Sequence, residues 1–126
     1  MFSIKSTLSS RELVFSERFD EYFRADIKGD IATSINVYTY TDESGILRLF
    51  SELSSLNKPW QGVRIWESSE DDFSISVSCS PLGQVLIEVY LSKSTASPEE
   101  LTVKMSLVTE FGQLPKIAQD AKAFFE

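Results

Sequence analysis

Few residues in this chain are of types that do chemistry. None of its 126 residues is histidine and one, Cys79, is cysteine; the rest of the reactive set is 19 carboxylates and 12 lysines and arginines. Histidine titrates nearest neutrality, so its absence removes the commonest general base. Histidine-based triads and zinc sites built on imidazole go with it. Cys79 falls on the apolar side of an alternating run, where a thiol behaves as a small hydrophobe rather than a nucleophile. The five glycines are scattered, and none opens a helix in a phosphate-binding pattern. No residue is assigned a catalytic role.

Carboxylates are the remaining option for chemistry. Glu67, Glu70, Asp71 and Asp72 cluster just ahead of an alternating run. Calcium loops need alternating oxygen ligands with a glycine at the bend, and this stretch has neither. The cluster is expected to be a solvated acidic turn, with no metal and no cofactor. Paired acid–base carboxylates would require two strands presenting acids across a cleft, which spacing alone does not arrange.

The richest binding stretch is Trp60 to Glu67, with Trp60, Arg64, Trp66 and Glu67 as the candidate binding residues. If residues 62–67 are extended, Arg64 and Trp66 share one face while Val63, Ile65 and Glu67 take the other. One reading exposes Trp66 and Arg64 together, residue types enriched in binding hot spots, with the guanidinium free to stack on an indole. The other buries both indoles beneath a helix as part of the core.

The elements that would hold these residues follow from periodicity. Phe73, Ile75, Val77 and Cys79 alternate with serines; Val85 to Leu91 and Leu101 to Leu107 obey the same period-two rule. Three such runs predict an antiparallel meander with one apolar face. Upstream, residues 2–8 read as a short edge strand or a frayed terminus, and residues 12–19 carry a weak strand signal. Residues 22–28 place Phe23, Ala25 and Ile27 on one face, and a Gly29-Asp30 turn pairs them antiparallel with residues 31–39. Tyr38 and Tyr40 fall on the outer side of that partner strand.

Ile46, Leu49, Phe50, Leu53 and Leu56 mark a helix, started by Asp42 or Ser44 and stopped before Pro59. Leu114, Ile117, Ala118, Ala121, Phe124 and Phe125 mark a second, with Pro115 early in it. The stretch from 92 to 100 reads as the longest loop. The expected fold is one α+β domain over residues 1–126. Its plan is a single antiparallel sheet of about six to seven strands with both amphipathic helices on one face, in the order βββα-βββα. The halves share a strand–acidic turn–glycine–helix pattern, which a duplication or ordinary α+β grammar would equally produce.

Composition bounds the partners. The net charge is −7, with seven basic and nine acidic residues before position 64 and five and ten after it. Phosphate backbones reward clustered lysine and arginine, so nucleic acid is not an expected partner, whereas a basic protein is. No stretch approaches ~18 unbroken apolar residues, so no membrane span is expected. A lone cysteine and the lack of a basic, apolar leader make the cytosol the expected compartment. Either a monomer or a homodimer fits.

Several segments resemble a known family. Pro59-Trp60-Gln61-Gly62-Val63-Arg64-Ile65-Trp66-Glu67-Ser68 resembles the W-x-G-x-R-x-W-x-S signature of DUF6228, bacterial proteins of unknown function. Gly83 to Val89 resembles its G-H-V-x-L-x-V strand, with Gln84 in place of histidine. Gly45 to Leu53 and Gly112 to Phe125 are similar to its middle and closing helices. The likeness implies no established activity; its small bacterial members look like immunity proteins of toxin systems. The expected function is a non-enzymatic, protein-binding domain of that immunity-like kind. The alternative is a small-molecule binder or weak carboxylate-based enzyme with a pocket between sheet and helices.

Overall fold

The computed structural model describes residues 1–40, 42–94 and 99–126. Strands β1 (Phe2–Lys5), β2 (Glu12–Ser16), β3 (Tyr22–Lys28) and β4 (Thr33–Tyr38) are followed by helix α1 (Gly45–Ser54). Strands β5 (Arg64–Glu67), β6 (Phe73–Cys79), β7 (Gln84–Ser94) and β8 (Glu100–Glu110) come next. A single 3-10 turn (Phe111–Gln113) leads into helix α2 (Leu114–Phe125). Thr41, in the expected helix start, and Thr95-Ala96-Ser97-Pro98, in the expected longest loop, lie outside the described residues.

The single sheet expected from the sequence is corrected here. The strands form two four-stranded antiparallel sheets, β1-β2-β3-β4 and β5-β6-β7-β8, and the order is four strands and a helix, twice. The missing strands are the weak ones. β1 carries only Phe2 and Ile4 inward, and β5 is four residues long, yet Phe2, Ile4 and Trp66 are all buried. Strand twist supplies the reason for two sheets, since a twisted open sheet covers its apolar face by curling or splitting into packed layers.

The two sheets meet at one edge without a shared ladder. Val108 of β8 accepts from the Thr7 amide (2.8 Å) and donates its own amide to Ser6 Oγ (3.2 Å), while Arg11 reaches the Ser106 carbonyl (3.1 Å). Inside, the alternation holds along most of β6, β7 and β8. Leu101 at the start of β8 is 49% exposed and Cys79 at the end of β6 is half-buried, because neither strand end is covered by a helix or the other sheet. Phe73, Ile75, Val77, Val85, Ile87, Val89 and Leu91 are at most 1% exposed. Their inner faces and those of Phe2, Phe15 and Phe23 join both helices in one hydrophobic cluster. α1 and α2 lie side by side, α1 against β5 and α2 against β1.

Phe15 is where the layers converge. Its ring lies 5.0 Å from Phe2 and 5.4 Å from Phe23 in its own sheet, 6.4 Å from Phe73 in the other, and 6.2 Å from Phe125 of α2. Among the described residues no helix is long and apolar enough to cross a membrane.

Candidate binding surface

The tryptophan stretch divides between inside and outside. β5 pairs only with β6, placing Trp66 opposite Ile75 and Arg64 opposite Val77. Trp66 is 5% exposed and Trp60 8%, so the reading that exposes Trp66 beside Arg64 gives way to the one that buries both indoles. Trp60 leans on Phe111 with ring centroids 6.3 Å apart. Arg64 and Glu67 are exposed, as are Ile65 on the edge strand and Val63 just before it. The physical reason is that α1 begins directly over Trp66, while Arg64 stands at the strand's start, beyond that cover.

The start of α1 is shaped to receive the indole. Trp66 Nε1 donates to Asp42 Oδ2 (2.9 Å), and Arg48 holds the same carboxylate through Nη1 and Nη2 (3.0 Å each). Ser44 occupies the N-cap without a side-chain bond to the helix, so the serine is not the working cap. Gly45 packs against the indole so closely that a Cβ there would overlap Nε1 and Cδ1 of Trp66. The Arg48 hydrogen bonds hold the Asp42 carboxyl below its ordinary 3.8, burial opposing and the Trp66 bond assisting.

A depressed folded-state pKa contributes stability that is present above the ordinary value and lost as pH falls through the folded one. Asp42→Asn is therefore expected to melt at lower temperature than the parent at neutral pH. The gap should narrow between neutral pH and a pH well below 3.8, as the parental carboxyl becomes progressively protonated. Thermal melts of both proteins at the two pH values check this. An equal gap at both would mean that the charge of Asp42 contributes nothing.

The acidic turn between β5 and β6 is a built hairpin. Ser68 is buried; its hydroxyl donates to Asp72 Oδ1 (2.8 Å) and accepts from the Phe73 amide (3.2 Å). Asp71 takes a left-handed φ of 56°, and Ser69 Oγ donates to the Tyr38 carbonyl at the end of β4 (3.1 Å). This contact brings Glu70 onto Tyr40, whose hydroxyl is pushed up by burial and then by the neighbouring Glu70 carboxylate. Among the described residues no group of three or more potential ligands is placed to hold a metal ion. Cys79 is half-buried, its thiol pushed up by burial and by Glu110.

Sequence reasoning missed the most exposed aromatic surface. Tyr22 of β3 stands directly opposite Tyr38 of β4, with rings 5.3 Å apart. Phe19 stacks on Tyr22 at 5.0 Å, and Tyr40 stacks on Tyr38 at 5.7 Å. Four rings thus form a ladder on the outer side of the first sheet. The Phe19 amide bonds the Tyr22 carbonyl (2.8 Å), and the Thr39 amide bonds the Glu21 carbonyl (2.8 Å), fixing both ends. The available signal was an aromatic at a polar-face position in each of two strands expected to pair.

Comparison with known proteins adds a family. The model described as a family of unknown function, DUF6228, matches residues 4–126. The chain belongs to DUF6228. No curated protein and no solved structure matches it. In this DUF6228 chain the stretch that carried the resemblance is largely structural. Trp60, Trp66 and Ser68 are buried, and Gly62 adopts a φ of 84° that a side chain would resist. Of those five positions Arg64 is the one whose side chain faces solvent, Gly62 being exposed but without one.

Proposed function

We propose that this DUF6228 chain is a non-enzymatic protein-binding domain whose partner presents a basic surface. The observation that carries the reading is the surface ladder of Phe19, Tyr22, Tyr38 and Tyr40, its two end rings exposed beside carboxylates on a chain of net charge −7. Tyrosine offers large contact area at low entropic cost, and interfaces are enriched in it. Complementary charge speeds encounter and rejects acidic competitors. Arg64 and Glu67, exposed on the free edge strand β5, lie at the rim of the same reading. A histidine-free sequence and a Cys79 thiol held away from thiolate favour grip over turnover.

The narrower form is an immunity-like inhibitor held against a toxin, and its support is the small acidic domain itself. Affinity capture from the source cell is expected to return a basic protein whose binding weakens steeply between low and high salt. Capture of an acidic partner, or binding indifferent to salt, would sink the reading. A toxin gene as neighbour would support the narrower form, and neighbours unrelated to toxins would count against it. The small-molecule alternative has one concrete feature, an open groove of about 500 Å³ where β1, β8 and α2 meet, lined in part by Lys5, Thr7, Gln113 and Lys116. Stabilisation by a member of a metabolite panel, lost in Lys116→Ala, would favour that alternative.

A further inference from the structure

The four-ring ladder has open faces only at its ends. Successive rings lie 5.0, 5.3 and 5.7 Å apart at interplanar angles of 28°, 40° and 19°, so each inner ring leans on two neighbours. Exposure follows that geometry: Phe19 is 58% and Tyr40 46% exposed, whereas Tyr22 and Tyr38 are half-buried. A ligand that uses ring faces must use the terminal ones.

Both ends carry acid. Asp20 and Glu21 line a shallow groove with Phe19 and Tyr22, Glu43 lies at the same end, and Glu70 sits at Tyr40. Arg24, the neighbouring cation on β3, is already engaged by Asp26 (3.1 Å) and Glu17 (3.9 Å). Arg18, beside Phe19, leaves the carboxylates in excess. An apolar partner would bury these acids unpaired, and a phosphate backbone would be repelled by them.

The backbone holds this surface in place at a cost. Glu17 (φ 50°), Tyr40 (φ 33°) and Asp71 (φ 56°) are the described non-glycine residues with positive φ, and all three lie in the turns that carry the ladder's ends or its acids. Each such residue costs on the order of 1 kcal/mol and persists only where surrounding bonds impose it. Those bonds are the Ser69 hydroxyl on Tyr38 and the Thr39 amide on Glu21. A site stiffened in advance loses less on binding.

From these observations we infer that the ladder recognises arginine side chains on an extended segment of the basic partner, one guanidinium at the Phe19 end and one at the Tyr40 end. The inference rests on the basic-partner reading and deepens it. Arginine fits better than lysine because a planar guanidinium lies flat on a ring while its edge meets a carboxylate. The successive ring spacings bound the ladder's length at about 16 Å, the reach of about five extended residues, so arginines four apart on one side of a strand, with their long side chains, can reach both ends.

The test uses the full chain and three synthetic nonapeptides in a neutral host sequence, carrying two arginines, two lysines or two citrullines four residues apart. Titrations are followed by calorimetry and tyrosine fluorescence. The arginine peptide is expected to bind tightest, the lysine peptide several-fold weaker and the citrulline peptide at least tenfold weaker. The double variant Phe19→Ser with Tyr40→Ser should lose at least tenfold for the arginine peptide. Glu70→Gln should lose about threefold and show a shallower salt dependence. Ser78→Ala, on the other sheet, should bind as the parent does, and thermal melts confirm that each variant folds.

Equal binding of arginine and citrulline peptides, or no binding of any, overturns the inference. Arginine and lysine peptides binding alike, with the ladder variant unaffected, also overturns it while leaving the basic-partner reading standing. That broader reading fails separately, if the protein captured from cells is acidic or its binding indifferent to salt.

Discussion

Phe15→Ala is expected to cost about 4 kcal/mol and to lower the melting temperature by about 15 °C. The ring is fully buried and touches aromatics from both sheets and from α2, with Phe124 at 6.5 Å adding to the four neighbours named above. Its removal opens a cavity between three elements that cannot all close over it, because each is also held by its own ladder or helix. Against a total stability of about 5–15 kcal/mol, that loss decides whether the domain stays folded. Phe19→Ala, four residues away and 58% exposed, should change stability by no more than about 0.5 kcal/mol. Urea denaturation of both variants measures the contrast; a Phe15→Ala cost below about 1.5 kcal/mol would show that the layers do not converge on this ring.

The second large effect is at Gly45, where two principles point in opposite directions. Alanine is the better helix former by about 1 kcal/mol, and Gly45 opens α1. The Cβ, however, would overlap the Trp66 indole, which is held from behind by its bond to Asp42. Overpacking of this kind costs about 1–3 kcal/mol, and the contact here involves a stiff ring rather than a flexible tail. Gly45→Ala is therefore expected to destabilise by about 2 kcal/mol net, and its tryptophan emission should shift to the red as Trp66 is displaced. Adding Trp66→Phe should recover part of the loss, with a coupling of about 1 kcal/mol in the double-mutant cycle. If Gly45→Ala proves more stable than the parent, the indole is not where the structure puts it.

Much of the core was legible from periodicity. Every inward position of β6 and β7 from Phe73 to Leu91 is buried as alternation requires, save Cys79 at the strand end, and both helix stripes face the core. β1 and β5 were harder, because four residues cannot display a period convincingly and their burial comes from partners far away in the chain. The tryptophans were legible only as alternatives: extension of residues 62–67 sets which side chains share a face but not which face a helix will cover.

The ladder shows most clearly where local reading stops. A two-residue Gly29-Asp30 turn would set Lys28 against Ile31 and Tyr22 against Val37, leaving the aromatics on opposite faces. The observed register sets Ile27 opposite Thr33 and Tyr22 opposite Tyr38, with Ile31 outside the strands and exposed. One residue of register decides whether two tyrosines stack or never meet.

By itself, then, the sequence determined the α+β class, the buried faces, the acidic surface and the want of an imidazole, since composition and period are local properties of a chain. Tertiary structure alone decided that the strands divide into two sheets, that Trp66 lies under α1 with Gly45 clearing its way, and that four rings line up beside Glu70. Each of those depends on strand register, twist and contacts between distant segments, which no window of neighbouring residues contains.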